Sequence, residues 1–587
     1  MRRPAALVLG LLLALLLTGC IGLPDDGPVV ESDTTGSGSR EDAMTIDPLG
    51  PQPGQSPSEV VKGFLDAMQA TPIDDTVARQ FLTRSSAELW EPATTIVYDT
   101  ISLPRPSAES GNLVDVKLTG ADQVDDRGTW QGALNVSTET DLHFAVKKED
   151  GEYRIGAPPD ELIVPRSWYS QRFRQVSLYF FDPTSRVLVP DPVFVPRGVD
   201  LASILVQRLI AGPDPDLFGY SRNLLPDGAD PDISVPVSSD GVATVDLGDV
   251  PVPSPADRGL LVAQLAWTLR QDTSVDRLRV LVDGQPMTTP GEGSDVSVTT
   301  GEAFAPYVAE ANRLLFGLQD DRMVAGGAGN LAPVSGPFGQ PGLALRSITA
   351  NLDASRAAGV TRDGSTMYVG DVRATEGVTT EAVAVVQGAS DLLPPSWDFS
   401  GQLWMVDRRD DGAVVSYLRA GHVEEVVVNG ISGRDVKSFL VSRDGSRLVA
   451  VVRGSHHDHV VVSRLRYDGN GRAVSGTRAR PIRWAAGPGT ARIRDIGWMS
   501  PTTIAVLDQV SRAQAEVRLL DVDGSMSPDE VHAIVVQGQA LGLATSPASA
   551  SLTTPFAVLP GELFDLAQVD TNQQQPVAGL RFITYAG

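Results

Sequence analysis

One cysteine, Cys20, stands in a chain of 587 residues. Without a second, no intramolecular disulfide can form, so any folded part is held by packing alone. Aromatic residues make up 6% of the chain and histidine occurs six times. Basic residues are few beside acidic ones, 48 Lys and Arg against 73 Asp and Glu, a formal charge of −25. That balance lacks the basic footprint a nucleic-acid binder needs, and it opposes charge-driven adhesion to anionic headgroups. Beyond Leu17 no apolar run approaches the ~20 residues of a membrane-spanning helix. Also missing are a Gly-x-x-x-x-Gly-Lys-Ser/Thr loop, a Gly-x-Ser-x-Gly elbow after a strand and a His-Glu-x-x-His pair. No catalytic, cofactor-binding or metal-binding residues are assigned, and the chain is expected not to be an enzyme.

The informative stretch is the first twenty residues. Arg2 and Arg3 precede an apolar run from Ala5 to Leu17, then small residues, then Cys20. Charge order, length and exit composition are those of a secretory signal. As a helix the run spans ~20 Å, short of the ~30 Å hydrocarbon core, so it is no permanent anchor. Leu17-Thr18-Gly19-Cys20 resembles the bacterial lipobox. The resemblance implies cleavage before Cys20, a diacylglyceryl group on its sulfur and a palmitoyl group on its nitrogen. Several acyl chains hold a protein where one is marginal. Residues 1–19 are thus expected to be a lipoprotein signal peptide. Residues 20–55, rich in Pro, Gly, Ser and acid, are expected to be a lipidated Cys and a disordered tether reaching roughly 30–35 Å.

Folded structure is expected from Ser56. Ser56-Pro57-Ser58-Glu59 reads as a capping box with Pro at the first helical position. Val60, Val61, Phe64, Leu65 and Met68 share a face at helical spacing. A second helix is expected over Asp74–Trp90, followed by strands, with Asp150-Gly151 as a hairpin turn. This element order, over residues 56–168, resembles a nuclear-transport-factor-2-like (NTF2-like) α+β cone with an antiparallel sheet.

Residues 169–300 read as β-β-α-β-β-α-β, an α+β sandwich. Asp200 is placed to cap the first helix, whose stripe Leu201, Ile204, Leu205, Leu209, Ile210 ends at Gly212-Pro213. Asp240-Gly241 marks a hairpin. Arg208-Leu209-Ile210-Ala211-Gly212-Pro213, Leu225-Pro226-Asp227-Gly228, Val242-Ala243-Thr244-Val245-Asp246-Leu247 and Gln264-Leu265-Ala266-Trp267-Thr268-Leu269 followed by Leu278-Arg279-Val280-Leu281-Val282-Asp283-Gly284 resemble the GerMN domain, whose members bind or assemble in bacterial envelopes.

After a connecting segment, 301–330, the texture turns to short β runs between Gly, Asp and Ser turns. A phrase recurs: Val360-Thr361-Arg362-Asp363-Gly364-Ser365 and Val441-Ser442-Arg443-Asp444-Gly445-Ser446, with looser copies from Trp397, Gly497 and Leu541. Its spacing is near the ~40–45 residues of a four-stranded blade. Residues 331–587 are therefore expected to be a β-propeller of five or six blades. Signal, lipobox, tether, α+β start, GerMN-like middle and propeller end together resemble the LpqB lipoprotein family of actinobacteria. That resemblance implies a protein anchored at the extracytoplasmic face of the cell membrane through Cys20. It also implies action on the extracellular domain of a sensor histidine kinase in MtrA–MtrB-type two-component signalling, in envelope and division homeostasis.

Three further features invite chemistry. His456-His457-Asp458-His459 holds three of the six histidines. It falls where a hairpin should turn, and neighbours along a strand point to opposite faces, so a solvated turn is preferred to a metal or pH-sensing site. Asp363-Gly364 and Asp444-Gly445 resemble the Asp-box of sialidases, a structural motif there, without its following aromatic. Trp397, Trp404, Trp484 and Trp498 are expected to pack blades; lining a glycan-binding or glycan-hydrolysing propeller is the alternative.

Overall fold

The computed structural model describes residues 48–587 except 72, 109, 111, 136–137, 199, 218, 290–292, 307–312, 376–380, 484–491, 526–532, 547–552, 568–573 and 578. Cys20, the signal and most of the tether lie outside the described residues, as does Trp484.

The first domain begins where the capping box places it. Ser56 Oγ accepts from Glu59 N, and the Glu59 carboxylate accepts from Ser56 N at 2.7 Å, starting the helix Pro57–Ala67. Its buried face is Val60, Val61, Phe64 and Leu65. The helix expected over Asp74–Trp90 is instead two short ones, Thr76–Arg79 and Arg84–Leu89. The break has a tertiary cause. Thr83 N donates to Ile155 O at 2.9 Å, and Thr83 Oγ1 caps the second helix by accepting from Ser86 N. Asp150-Gly151 does turn a hairpin, joining Glu139–Glu149 to Glu152–Ala157 with both turn residues at positive φ. The sheet expected to be antiparallel throughout is split into two, and one holds a parallel pair, Thr94–Tyr98 with Glu161–Pro165. The split falls at Asp99 and Gly120. Gly120 lies at φ +62°, and a Cβ there would sit 1.9 Å from Asp99 Oδ2.

In the second domain a long hairpin, Phe173–Phe181 with Leu188–Pro196, packs beside helices Leu201–Ile210 and Pro255–Leu269. Asp200 caps the first helix as expected, and Gly212 at φ +85° follows its end. A parallel pair, Val242–Asp246 with Arg277–Val282, completes the core. The strand expected at Val235–Val237 is reduced to one bridge, Val237 with Ala243, so the order is β-β-α-β-α-β with two short strands appended.

The third domain is a closed six-bladed propeller. Its innermost strands, in ring order, are Leu580–Thr584, Leu345–Ala350, Ser396–Trp397, Val436–Val441, Ile493–Trp498 and Gly542–Ala544. Blade one joins two distant parts of the chain: Leu315–Gln319 pairs with Leu580–Thr584 and carries Arg322–Gly327 and Asn330–Pro333 outward. The stretch 301–330, expected to be a connector, therefore supplies propeller strands. Closure of this kind leaves no sheet edge at the seam. Blades three and four are also stitched at their rims, where Val427 and Val428 pair in parallel with Ser475 and Gly476.

The recurring phrase is a hairpin turn with one chemistry. An Asp carboxylate accepts from the backbone N–H of the Ser two residues on, at 3.1 Å for Asp363–Ser365, 2.9 Å for Asp398–Ser400 and 2.7 Å for Asp444–Ser446. Gly364, Gly401 and Gly445 supply the positive φ. In blades three and four this turn joins the first strand to the second, but in blade two it joins the second to the third. The equivalent turn of blade two is Asp353-Ala354-Ser355, with the same bond at 2.9 Å.

Candidate functional site

The side chains with most at stake lie where the three domains meet. Arg447, in the second strand of blade four, is 1% exposed. Its Nη2 donates to Pro190 O at 2.5 Å, and burial pushes its guanidinium down to about 10. Arg464, in the adjacent strand, reaches Asp191 Oδ1 at 3.2 Å, while Asp214 N donates to Asp191 Oδ2 at 3.0 Å. Asp191 is fully buried in the hairpin of the second domain; burial raises its carboxyl, and Arg464 offsets part of that. Arg480 binds both other domains at once, with Nη2 2.5 Å from Asp216 and Nη1 3.0 Å from Gln131 Oε1. Arg483 pairs with Asp122 at 3.0 Å, and Asp122 also holds Arg166 at 2.8 Å. The Tyr220 hydroxyl donates to Asp444 O, and its ring lies 4.8 Å from that of Tyr467. Together these contacts make the three domains one body.

Gln175 adds a second tie from the second domain, donating through Nε2 to Asp523 at 2.9 Å and to Ser525 Oγ at 3.1 Å. Asp523 lies near enough to Asp521 for each charge to act on the other. Burial, then the charge of Asp523, pushes Asp521 up to about 7; burial raises Asp523 as well, against its bonds from Ser525 and Gln175. A carboxyl raised in the folded state favours the protonated form. Its stabilisation is present in full below the ordinary carboxylate pKa and is lost as pH rises through about 7. Melting temperature is therefore expected to fall between pH 5 and pH 8, with on the order of 2–4 kcal/mol at stake. Asp521→Asn is expected to flatten that slope, and an unchanged slope in thermal unfolding at the two pH values would refute the assignment.

The second feature is the propeller's axial channel, with cavities of about 80 Å³ and 190 Å³ that share Ser396, Leu440, Ile496, Leu543 and Thr584 in their walls. Asp495 is the one acidic side chain lining it among the described residues. Leu543 N donates to Asp495 at 2.8 Å, and burial lifts its carboxyl to about 6.

The histidine run does not converge. His456, His457 and His459 are exposed, with the rings of His457 and His459 4.5 Å apart. Asp458 turns inward, bound to Lys437 at 2.7 Å and Arg492 at 3.1 Å. Among the described residues no group of three or more His, Cys, Asp or Glu could hold a metal ion. Trp397, Trp404 and Trp498 are buried; Trp404 donates to Asp398 at 2.9 Å and Trp498 to Val441 O at 3.1 Å. Asp444 and Asp363 act as turn residues. Sequence reasoning missed Asp191, Arg464, Arg447 and Arg480. The accessible signal was Pro190-Asp191-Pro192, a charge between prolines in an apolar strand.

Among the described residues no helix is long and apolar enough to cross a membrane. Three family models match the chain: "Lipoprotein LpqB, N-terminal domain" over residues 50–170, "Sporulation and spore germination" over 177–288 and "Lipoprotein LpqB beta-propeller domain" over 321–554. Proteins named Lipoprotein LpqB are similar along most of their length. The one from Streptomyces coelicolor is 28% identical, covering 89% of each chain. The one from Mycolicibacterium smegmatis is 28% identical over the same share. The one from Mycobacterium tuberculosis is 27% identical, covering 77% of this chain and 79% of its own. Among solved structures, the first GerMN domain of the sporulation protein GerM from Bacillus subtilis matches 21% of this chain and 97% of its own, at 22% identity and TM-score 0.18. A nidogen/laminin complex matches 47% and 98%, at 10% identity and TM-score 0.32.

Proposed function

The chain belongs to the LpqB lipoprotein family, and we propose that it works without chemistry of its own, as a lipid-anchored adaptor on the extracytoplasmic face of the cell membrane. Its body binds the extracellular domain of a sensor histidine kinase of the MtrA–MtrB type and biases its signalling. The observation that carries this reading is the buried ionic junction. Arg480 alone contacts both Asp216 and Gln131, so the propeller and the two preceding domains present their surfaces as a unit. A partner that prefers one kinase state shifts the kinase toward it by differential affinity. Lipid attachment confines both to one surface and so permits modest intrinsic affinity.

The glycan reading draws less support. A glycosidase uses two acidic side chains with carboxyl groups roughly 5–9 Å apart, whereas Asp495 is the one acidic side chain among the described channel-lining residues. Trp397, Trp404 and Trp498 are all buried, Trp404 within its blade and Trp397 and Trp498 beside the smaller axial cavity. Crosslinking in intact cells, followed by mass spectrometry, distinguishes the two. The kinase's extracellular domain is expected among the captured peptides; its absence, with glycan fragments in its place, would favour the alternative.

A further inference from the structure

An apolar cleft opens at the propeller's rim, between blades two and three. The strand Val383–Gln387 ends the sheet of blade two, and among the described residues no strand pairs with its outer edge. It carries neither proline nor charge, the usual guards of a sheet edge. The outermost strands of blades one and six end in Pro333 and Pro576, and part of blade three's is covered by Ser475 and Gly476. Val383 pairs with Val369, and Val423 with Leu418. Val369 and Leu418 belong to one core between the two blades, so Val383 and Val423 stand on facing walls outside it. Side chains alternate along a strand, which puts Glu425 and Val427 on the same wall as Val423. Val426 and Val428 point the other way, into the core shared with blade four. The ladder of blade two gains a residue at Val385, and Val385 and Val386 both pack at the floor of the cleft. Val383 is 62% exposed, Val423 45% and Val427 66%.

The blade-three wall reads apolar, acidic, apolar at every second residue. Arg409 lies 3.5 Å from Glu425 but also holds Asp407 at 2.9 Å, and Asp410 and Asp411 are exposed beside it, so the wall is net negative. A segment hydrogen-bonded to the free edge of Val383–Gln387 would lay every second side chain into the cleft. An apolar, basic, apolar order on that face complements the wall. A second copy of the chain is the poorer occupant. Two five-residue edges bury far less than the ~1,000 Å² of a specific interface, and two bodies of charge −25 repel. We propose that the cleft takes an extended segment of a partner protein as a fifth strand of blade two, with a basic side chain on Glu425 between apolar ones on Val423 and Val427. The cleft makes no use of the lipid and does not require the partner to be a kinase, so its test stands apart from that reading.

The probe is the capped peptide Thr-Val-Thr-Lys-Thr-Val-Thr with a fluorescent label, which places Val, Lys and Val on one face of a strand. Fluorescence anisotropy with the full mature lipoprotein in detergent, against a detergent blank, is expected to give Kd of ~0.1–1 mM. The same peptide with Glu for Lys is expected to bind at least ~10-fold more weakly. N-methylation of every second residue blocks one edge of the peptide, and of the two forms so made one is expected not to bind. Val383→Lys is expected to weaken the Lys peptide at least ~10-fold, and Glu425→Lys to reverse the preference in favour of the Glu peptide. Both side chains are exposed, so the melting temperatures should match the wild type. No saturable binding up to ~5 mM, equal affinity for the two peptides, binding by both methylated forms, or unchanged affinity in Val383→Lys would each overturn the proposal. A concentration-dependent dimer in sedimentation, lost in Val383→Lys and with no peptide bound, would also overturn it and give the edge to a second copy.

Discussion

Replacing Asp191 by Ala is expected to cost about 3–5 kcal/mol and to loosen the propeller from the second domain. Asp191 is fully buried in the hairpin Leu188–Pro196, and its carboxylate is the partner of Arg464 from blade four. Removing one member of a buried pair leaves the other charged and desolvated, which accounts for most of the cost. Arg447, immersed beside it and held by Pro190 O, would lose a nearby negative charge as well. Calorimetry should show one broad transition of the wild type dividing into two as the domains cease to unfold together. Replacing both partners, Asp191→Leu with Arg464→Met, should recover most of the loss, because neither charge is then stranded. A single-variant cost below about 1 kcal/mol would mean that the junction does not hold the domains.

Changing Cys20 to Ser is expected to move the protein from the membrane fraction to the soluble one. Each buried methylene of an acyl chain contributes about 0.8 kcal/mol, and a formal charge of −25 opposes adhesion of the body to anionic headgroups. Metabolic labelling with radioactive fatty acid should mark the wild type and leave Cys20→Ser unlabelled. A labelled Ser variant, or a wild type that is soluble and unlabelled, would remove the anchor from the account.

Much of this architecture is legible in the chain, and the parts that are not share a cause. The capping box at Ser56 and Glu59, the cap at Asp200 and the hairpin at Asp150-Gly151 are short-range devices, each complete within a few residues. The break at Thr83 is invisible locally, because its cause is Ile155 on a distant strand. Blade one escapes notice for the same reason: Leu315–Gln319 finds its partner in Leu580–Thr584. The Asp-x-Ser turn misleads about register, since its bond closes any tight hairpin and Asp363 closes a different one from Asp398 and Asp444. The junction is the extreme case. Asp191 and Arg464 are 273 residues apart, and nothing near either predicts the other.

The most direct test places the purified kinase and the lipoprotein in the same bilayer and follows kinase autophosphorylation. The lipidated protein is expected to change the rate several-fold at surface densities where soluble Cys20→Ser at equal amount has little effect, because confinement to one surface supplies the effective concentration. A rate unaltered by the lipidated protein at every density tested would contradict the account.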